Sequence, residues 1–406
     1  MDTLHADVDE IMPGLVADRR WLHEHPEVGM QEVETAKFVV ERLRALGVDD
    51  IRTGISETGV TALVRGTGSG PGAGKVVLLR ADMDALPIQE ENDVPYRSQT
   101  DGAMHACGHD GHTSMLLAVT RLLMARRDQF AGAVKVLFQP CEETGPGGAA
   151  WMIEQGVLED PHVDAVFGLH LAQFLPVGTI GVSAGPVMAA GQFFRVNVQG
   201  QGGHGAAPHK THDPIVAAVE MIGALQTIVS RNVDPMETAV VSVGMIHGGD
   251  AANVIPDRVE FAGTLRTFRP EVEELVTSRL GVIVREIAAA HRVTATVESP
   301  LGLPAVVNDA AMAELVRRAA TAVVGEERVM PGVTWMASED FAFFLNERPG
   351  CFFFVGSSNA ERGLVWDHHH PKFDFDEEAL GIGVETMTRT VLAYFDEAGD
   401  DTSRPG

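Results

Sequence analysis

Eight consecutive residues, His105-Ala106-Cys107-Gly108-His109-Asp110-Gly111-His112, gather one thiol, three imidazoles and a carboxylate in a chain with only three cysteines. Imidazole and thiolate are the usual protein ligands of zinc and similar borderline transition metals. The glycines at 108 and 111 give the backbone room to turn both Cys107 and His109 toward one ion. A polar loop would explain this cluster alone, but three more donor-rich segments lie downstream. They are Gln139-Pro140-Cys141-Glu142-Glu143, Gly168-Leu169-His170 and His368-His369-His370-Pro371. The expected ligand set is Cys107, His109, Glu143, His170 and His369. Five protein ligands exceed the four of a closed structural zinc site, so a pair of neighbouring metals is expected. Such a pair polarises a carbonyl and generates hydroxide near neutral pH.

The adjacent carboxylates of Glu142 and Glu143 point opposite ways on extended backbone, so one need not duplicate the other. The useful division is Glu143 as metal ligand and Glu142 as proton carrier, against the plainer reading of a surface acidic pair. Arg80-Ala81-Asp82-Met83-Asp84 closes a buried apolar run with two aspartates. Metal-bound histidines usually donate their second ring N–H to a carboxylate. Asp82 and Asp84 are therefore expected to support the ligands, or else to be solvated turn residues. His105 and His112 read as capping or solvating the loop.

Apolar patterning supplies the elements that must position these groups. Val8 to His25 reads as a helix, with Ile11, Leu15, Arg19 and Leu22 at helical spacing and Pro26 beyond it. A second helix runs to Leu46 and closes at Gly47. Continuous apolar runs at 59–64, 75–80, 134–138 and 163–167 predict strands covered on both faces, a sheet between helices. Helices are expected over Thr113–Arg127 and Ala149–Gln155. Each donor segment then follows a strand, where open α/β sheets bind ligands. From about Met188 the order changes to strand, helix, two strands, helix, strand, with helices over Pro214–Ser230 and Pro270–His291. That is the order of a ferredoxin-like domain. Gly185-Pro186 and Ser299-Pro300 bracket it as linkers. The expected organisation is a first part of one domain over 1–186, an insertion over 187–299, and the domain resumed over 300–406, with a frayed acidic end.

Bulk properties agree with that plan. At 406 residues the chain exceeds one ordinary core, and its 45% hydrophobic and 22% charged content is that of a globular protein. A net charge of -26 without Lys/Arg patches argues against nucleic acid. The first ten residues lack an apolar stretch and no run of 18 apolar residues occurs, so neither signal peptide nor membrane span is expected. Cys107, Cys141 and Cys351 are few and scattered, which suits thiols in a reducing cytoplasm.

The motifs Arg80 to Ile88, Met104 to His112, Gln139 to Glu143, Gly168 to His170 and His369-His370-Pro371-Lys372-Phe373 occur together in one order. In this the chain resembles M20-type metallo-amidohydrolases, of the branch with hippurate hydrolases, N-acyl-amino-acid amidohydrolases and auxin-conjugate hydrolases. The resemblance spans nearly the whole chain. It implies a mixed-sheet α/β/α catalytic domain with two divalent metals, zinc or manganese with nickel or cobalt as alternatives. It also implies an inserted α+β ferredoxin-like lid that dimerises. Carried over, Cys107, His109, Glu143, His170 and His369 match metal ligands, and Glu142 the general base. The family's His-x-Pro pattern selects His369 from the histidine run. Cys141 departs from the alanine usual before the Glu pair. In relatives a lid histidine and asparagine, here His204 and Asn253, steady the oxyanion, often in the partner subunit. Arg266 would bind the substrate carboxylate. Ser338-Glu339-Asp340-Phe341 also matches a motif, with no chemical step assigned. The implied reaction is hydrolysis of N-acyl amino acids. Its rivals are dipeptide or carboxypeptidase-like cleavage on the same fold, and a non-catalytic metal-dependent binding protein, which the intact Glu142 disfavours.

Overall fold

The computed structural model describes residues 3–144, 147–299 and 302–397. The expected Ser299-Pro300 linker lies partly outside them, and the polar end expected to fray from Glu397 lies outside them from residue 398 on, while Glu397 itself is helical. The chain forms two compact units, one of Met1–Val187, Val307–Val333 and Asp340–Gly406, the other of Met188–Val306 and Thr334–Glu339.

The larger unit is built on an eight-stranded mixed sheet. From edge to edge the strands are Arg52–Ile55, Gly59–Arg65, Ala133–Gln139, Val76–Asp82, Ala165–Pro176, Gly350–Ser358, Ile180–Gly181 and Val329–Met330. The four central strands, from Ala133–Gln139 to Gly350–Ser358, are mutually parallel, and their outer neighbours pair antiparallel. Val77, Leu79 and Ala81 of one central strand join the core formed with the helices Leu4–Glu24, Val33–Ala45, His109–Ala125 and Glu378–Glu397. The alternate residues Val76 and Leu78 are buried as well. Both faces are covered, which is why these strands read as unbroken apolar runs.

The smaller unit has the strand order Ala239–His247, Arg258–Thr267, Ala190–Gln199, Thr294–Glu298, every pair antiparallel. The helices Pro214–Arg231 and Pro270–His291 supply its core with Ala217, Met221, Leu225, Val276 and Leu280. This is the ferredoxin-like arrangement expected from the element order. Pro214–Arg231 is long and apolar enough by composition to cross a membrane, and one face of it is packed in this core. Asp213 caps it, accepting from the amides of Ile215 and Val216.

Three elements depart from expectation. The first helix begins at Leu4, ahead of Val8, because Leu4 and Val8 both reach the core. The third begins at His109 and not at Thr113, so the donor cluster is partly helical. The strand Ala165–Pro176 runs through and beyond His170, which therefore lies within it and not after it.

Candidate metal centre

The parallel strands end together, and the donors gather where they end. Val76–Asp82 delivers Asp82 directly, with Asp84 two residues on, and Ala133–Gln139 leads into Cys141, Glu142 and Glu143. Cys107 and His109 enter from the start of the helix His109–Ala125. Gly108 caps that helix at φ +91, and a Cβ there would lie 3.1 Å from Leu171 Cδ1. Such a left-handed turn is open to glycine at little cost. His369 also has positive φ, +65, and its amide donates to the carbonyl of Ala106 at 2.8 Å. That bond ties the C-terminal histidine run to the Cys107 segment.

Donor atoms of Cys107, His109 and His170 lie within 4.8 Å of one another, and so do those of Cys107, Glu143 and His369. All five residues named from the sequence thus converge, with Cys107 common to both groups. Its sulfur is 3.6 Å from His170 Nε2, while His369 Nε2 is 3.2 Å from Glu143 Oε1. Glu142 joins a third group with His109 and Glu143. The histidines are oriented from behind. His109 Nδ1 meets the Asp84 carbonyl at 2.9 Å and the Asp84 carboxylate at 3.3 Å. His170 Nδ1 bonds the Leu171 carbonyl at 2.6 Å. In each, a proton on Nδ1 leaves Nε2 as the nitrogen able to hold a cation. Asp84 also accepts the amide of Glu143 at 2.9 Å, linking two donor segments.

Charge at the centre is unbalanced toward the anionic. Burial, with Glu143, Glu142 and Asp82 nearby, pushes the Cys107 thiol well above its usual range. Burial opposes a charge on His109, but Asp82 and Asp84 prevail and raise it to about 10. His170 is held well below the ordinary imidazole value by burial and by the neighbouring His112 and His368. Glu143 Oε1 and His109 Nε2 are buried without a hydrogen-bond partner among the described residues.

The supporting residues differ in part from expectation. His112 neither caps nor solvates a loop. It is buried, its Nδ1 2.7 Å from Asp82 Oδ1, while its Nε2 accepts the amide of Leu171. Asp82 is thus committed to His112 and to Arg80, whose Nη1 is 2.6 Å away, and it approaches His109 Nε2 only at 3.6 Å. His105 is buried too, with neither ring nitrogen hydrogen-bonded among the described residues, and burial lowers it to about 4. Sequence reading missed the partners of Arg80. It donates to Gln139 and Asp340, both buried, and Asp340 also accepts from Gln139 and from the amide of Ala149. A lone arginine inside an apolar strand was the available signal, since a buried charge needs partners. Cys141 takes φ +58, donates its amide to Glu32 and bonds Thr144 through sulfur.

His204, Asn253 and Arg266 belong to the smaller unit. His204 pairs with Val254 in a two-stranded ribbon, and the Asn253 carbonyl accepts the amide of Gly205, so His204 and Asn253 are neighbours, both exposed. Arg266 is half-buried and donates to Ser338 Oγ at 2.5 Å.

Residues 78–393 match the profile of Peptidase family M20/M25/M40. An N-acetyl-L-cysteine deacetylase of Bacillus subtilis (strain 168) is 43% identical over 366 residues, 90% of this chain and 84% of that one. IAA-amino acid hydrolase ILR1-like 4 of Arabidopsis thaliana is 40% identical over 385 residues, 94% and 85% of the two chains. Among solved structures, a Bacillus subtilis protein described as a dinuclear metal binding peptidase from the M20 family superposes with a TM-score of 0.80 at 35% identity. It covers 96% of this chain and 99% of its own. A family profile matched over most of the chain, and relatives aligned along nearly its full length, make this protein a member of Peptidase family M20/M25/M40.

Proposed function

We propose that the chain is a metal-dependent amidohydrolase that cleaves the amide bond of N-acyl amino acids or related conjugates, releasing a carboxylic acid and a free amino acid. The carrying observation is one thiol, Cys107, common to two donor groups beside Glu142. The names of two relatives, an N-acetyl-L-cysteine deacetylase and an IAA-amino acid hydrolase, support the substrate class.

The donors fit divalent metal ions. Buried polar atoms left without a hydrogen bond are costly unless a cation satisfies them, and Glu143 Oε1 and His109 Nε2 are such atoms. One ion would be held by Cys107, His109 and His170, the other by Cys107, Glu143 and His369. The B. subtilis structure described as dinuclear supports a pair. A thiolate favours zinc, and the imidazoles and carboxylate also suit manganese, nickel or cobalt. Bound there, the ions would supply Lewis-acid polarisation of the amide carbonyl and lower the pKa of water.

The chain's own groups manage protons and position. Glu142 takes a proton from the attacking water and delivers it to the amide nitrogen as the C–N bond breaks. His204 and Asn253 donate to the developing oxyanion, contributed by a second copy of the chain in a homodimer formed through the smaller unit. Arg266 receives the substrate carboxylate in its planar fork, and Asp84 keeps His109 in register. The scattered, unpaired thiols Cys107, Cys141 and Cys351 support a cytoplasmic location.

A panel of N-acetyl, N-benzoyl and indoleacetyl amino acids tests the reading. Chelator-treated protein should be inactive on all of them and recover on addition of zinc or manganese. Turnover of dipeptides alone would favour the peptidase reading, and activity surviving complete metal removal would overturn the proposal.

A further inference from the structure

Arg19 is the largest charged side chain buried without any exposure, and it lies on a helix that carries none of the candidate ligands. Its Nε donates to Asp110 Oδ2 at 2.8 Å, its Nη2 to Asp374 Oδ1 at 2.8 Å and its Nη1 to Glu377 Oε1 at 3.3 Å. The guanidinium stacks 4.3 Å over the Phe375 ring and 4.9 Å from that of Tyr96. Its two short bonds go to different segments. Asp110 is the second residue of the helix that opens with His109. Asp374 lies five residues beyond His369 in the turn that carries the C-terminal histidines.

On the metal-centre reading, those segments would serve different metal positions. His109 groups with Cys107 and His170, whereas His369 groups with Cys107 and Glu143. The Asp374 side is tied inward as well. Its carbonyl accepts from Gln173 Nε2 at 3.0 Å, and the Gln173 amide donates to His368 Nε2 at 3.2 Å. Tyr96 holds the other carboxylate oxygen of Asp374 at 2.8 Å. A planar fork with fixed angles between its donors spans two carboxylates at one set distance, which an ammonium on a flexible stem cannot reproduce.

We propose that Arg19 is a positioning residue that sets the spacing of the two metal positions by clamping the His109 segment to the His369 segment. The inference rests on the metal-centre reading above. Arg19 touches no candidate ligand, so it acts through Asp110 and Asp374. His369 is the looser end, with its side chain half exposed while His109 and His170 are buried. Loss of the clamp therefore falls on the Cys107–Glu143–His369 position.

Titration calorimetry of zinc or manganese into chelator-treated protein tests this with Arg19→Lys and Asp374→Asn. Wild type should load two ions. In each variant one binding step should weaken about 10–100-fold, the range seen when residues supporting metal ligands are altered, while the other step keeps its affinity. A merely structural role for Arg19 predicts lower thermal stability with both steps unchanged, or both weakened alike, and either result overturns the clamp. If Arg19→Lys does not fold, Asp374→Asn decides alone, since it keeps the side-chain shape and replaces the carboxylate held by Arg19 and Tyr96 with a neutral amide. A wild-type chain that loads no metal overturns the metal-centre reading itself, a different outcome from a wild type that loads two ions beside variants that match it.

Discussion

At the scale of single residues, Cys107 concentrates the chemistry. Burial and three neighbouring carboxylates keep its thiol protonated, and Asp82 and Asp84 keep a proton on His109 up to about pH 10. A metal must displace both protons, because thiolate and neutral imidazole are the binding forms. Metal affinity should therefore rise with pH throughout the range from 6 to 9. Calorimetry in buffers of different ionisation enthalpy should detect proton release on binding, and a pH-independent affinity would remove Cys107 and His109 from the ligand set. The five candidate donors and the Glu pair, which the structure brings together, were legible in the sequence because thiol, imidazole and carboxylate fall together in short segments. His112 was not, since nothing local reveals that Asp82 and Leu171 will claim both its nitrogens. Arg80 and Asp340 were missed for the same reason, being 260 positions apart.

At the scale of elements, the helix Leu4–Glu24 shows how a surface-like pattern hides a buried charge cluster. Its apolar stripe was readable, but Arg19 and His23 fall on the same stripe and are buried with it. His23 bonds Asp110 at 2.8 Å and Glu90 at 3.3 Å, joining this helix to the helix His109–Ala125 and to the loop before it. Burial and the Arg19 charge oppose protonation of His23, yet those two carboxylates prevail and raise it to about 9. A raised pKa contributes stability that is complete below the unfolded value of 6.5 and is lost as pH climbs through about 9. Thermal unfolding should thus show a decline between pH 6.5 and 9, up to about 3 kcal/mol for this group. His23→Gln should flatten that decline, and an unchanged pH profile would show that His23 carries no such charge. Helix His109–Ala125 began four residues earlier than its pattern suggested because two glycines resemble a loop. Close packing against Leu171 leaves room for little else at 108 and 111, so tertiary contact overrides the weak helix propensity of glycine.

At the scale of the whole molecule, the ferredoxin-like order of the smaller unit was readable from alternating strands and two long helices, and four of the eight strands of the large sheet from their unbroken apolar runs, but not its central strand Gly350–Ser358. Its central strand order was not, because it is fixed by pairings between strands far apart in sequence, such as Gly350–Ser358 beside Ala165–Pro176. The proposed dimer makes a direct prediction. Mixing inactive His204→Ala chains with inactive Glu142→Gln chains should restore activity, because some heterodimers then hold one site with both residues intact. Subunits that exchange without recovery would place His204 outside the partner's chemistry. Hydrolysis with Glu142 carrying the proton can be checked with Glu142→Gln alone, by measuring turnover of an N-acetyl amino acid and bound metal on the same sample. The expected result is a fall in kcat of about 10²–10⁴-fold with two metals retained. Near wild-type turnover with the metals in place would contradict it.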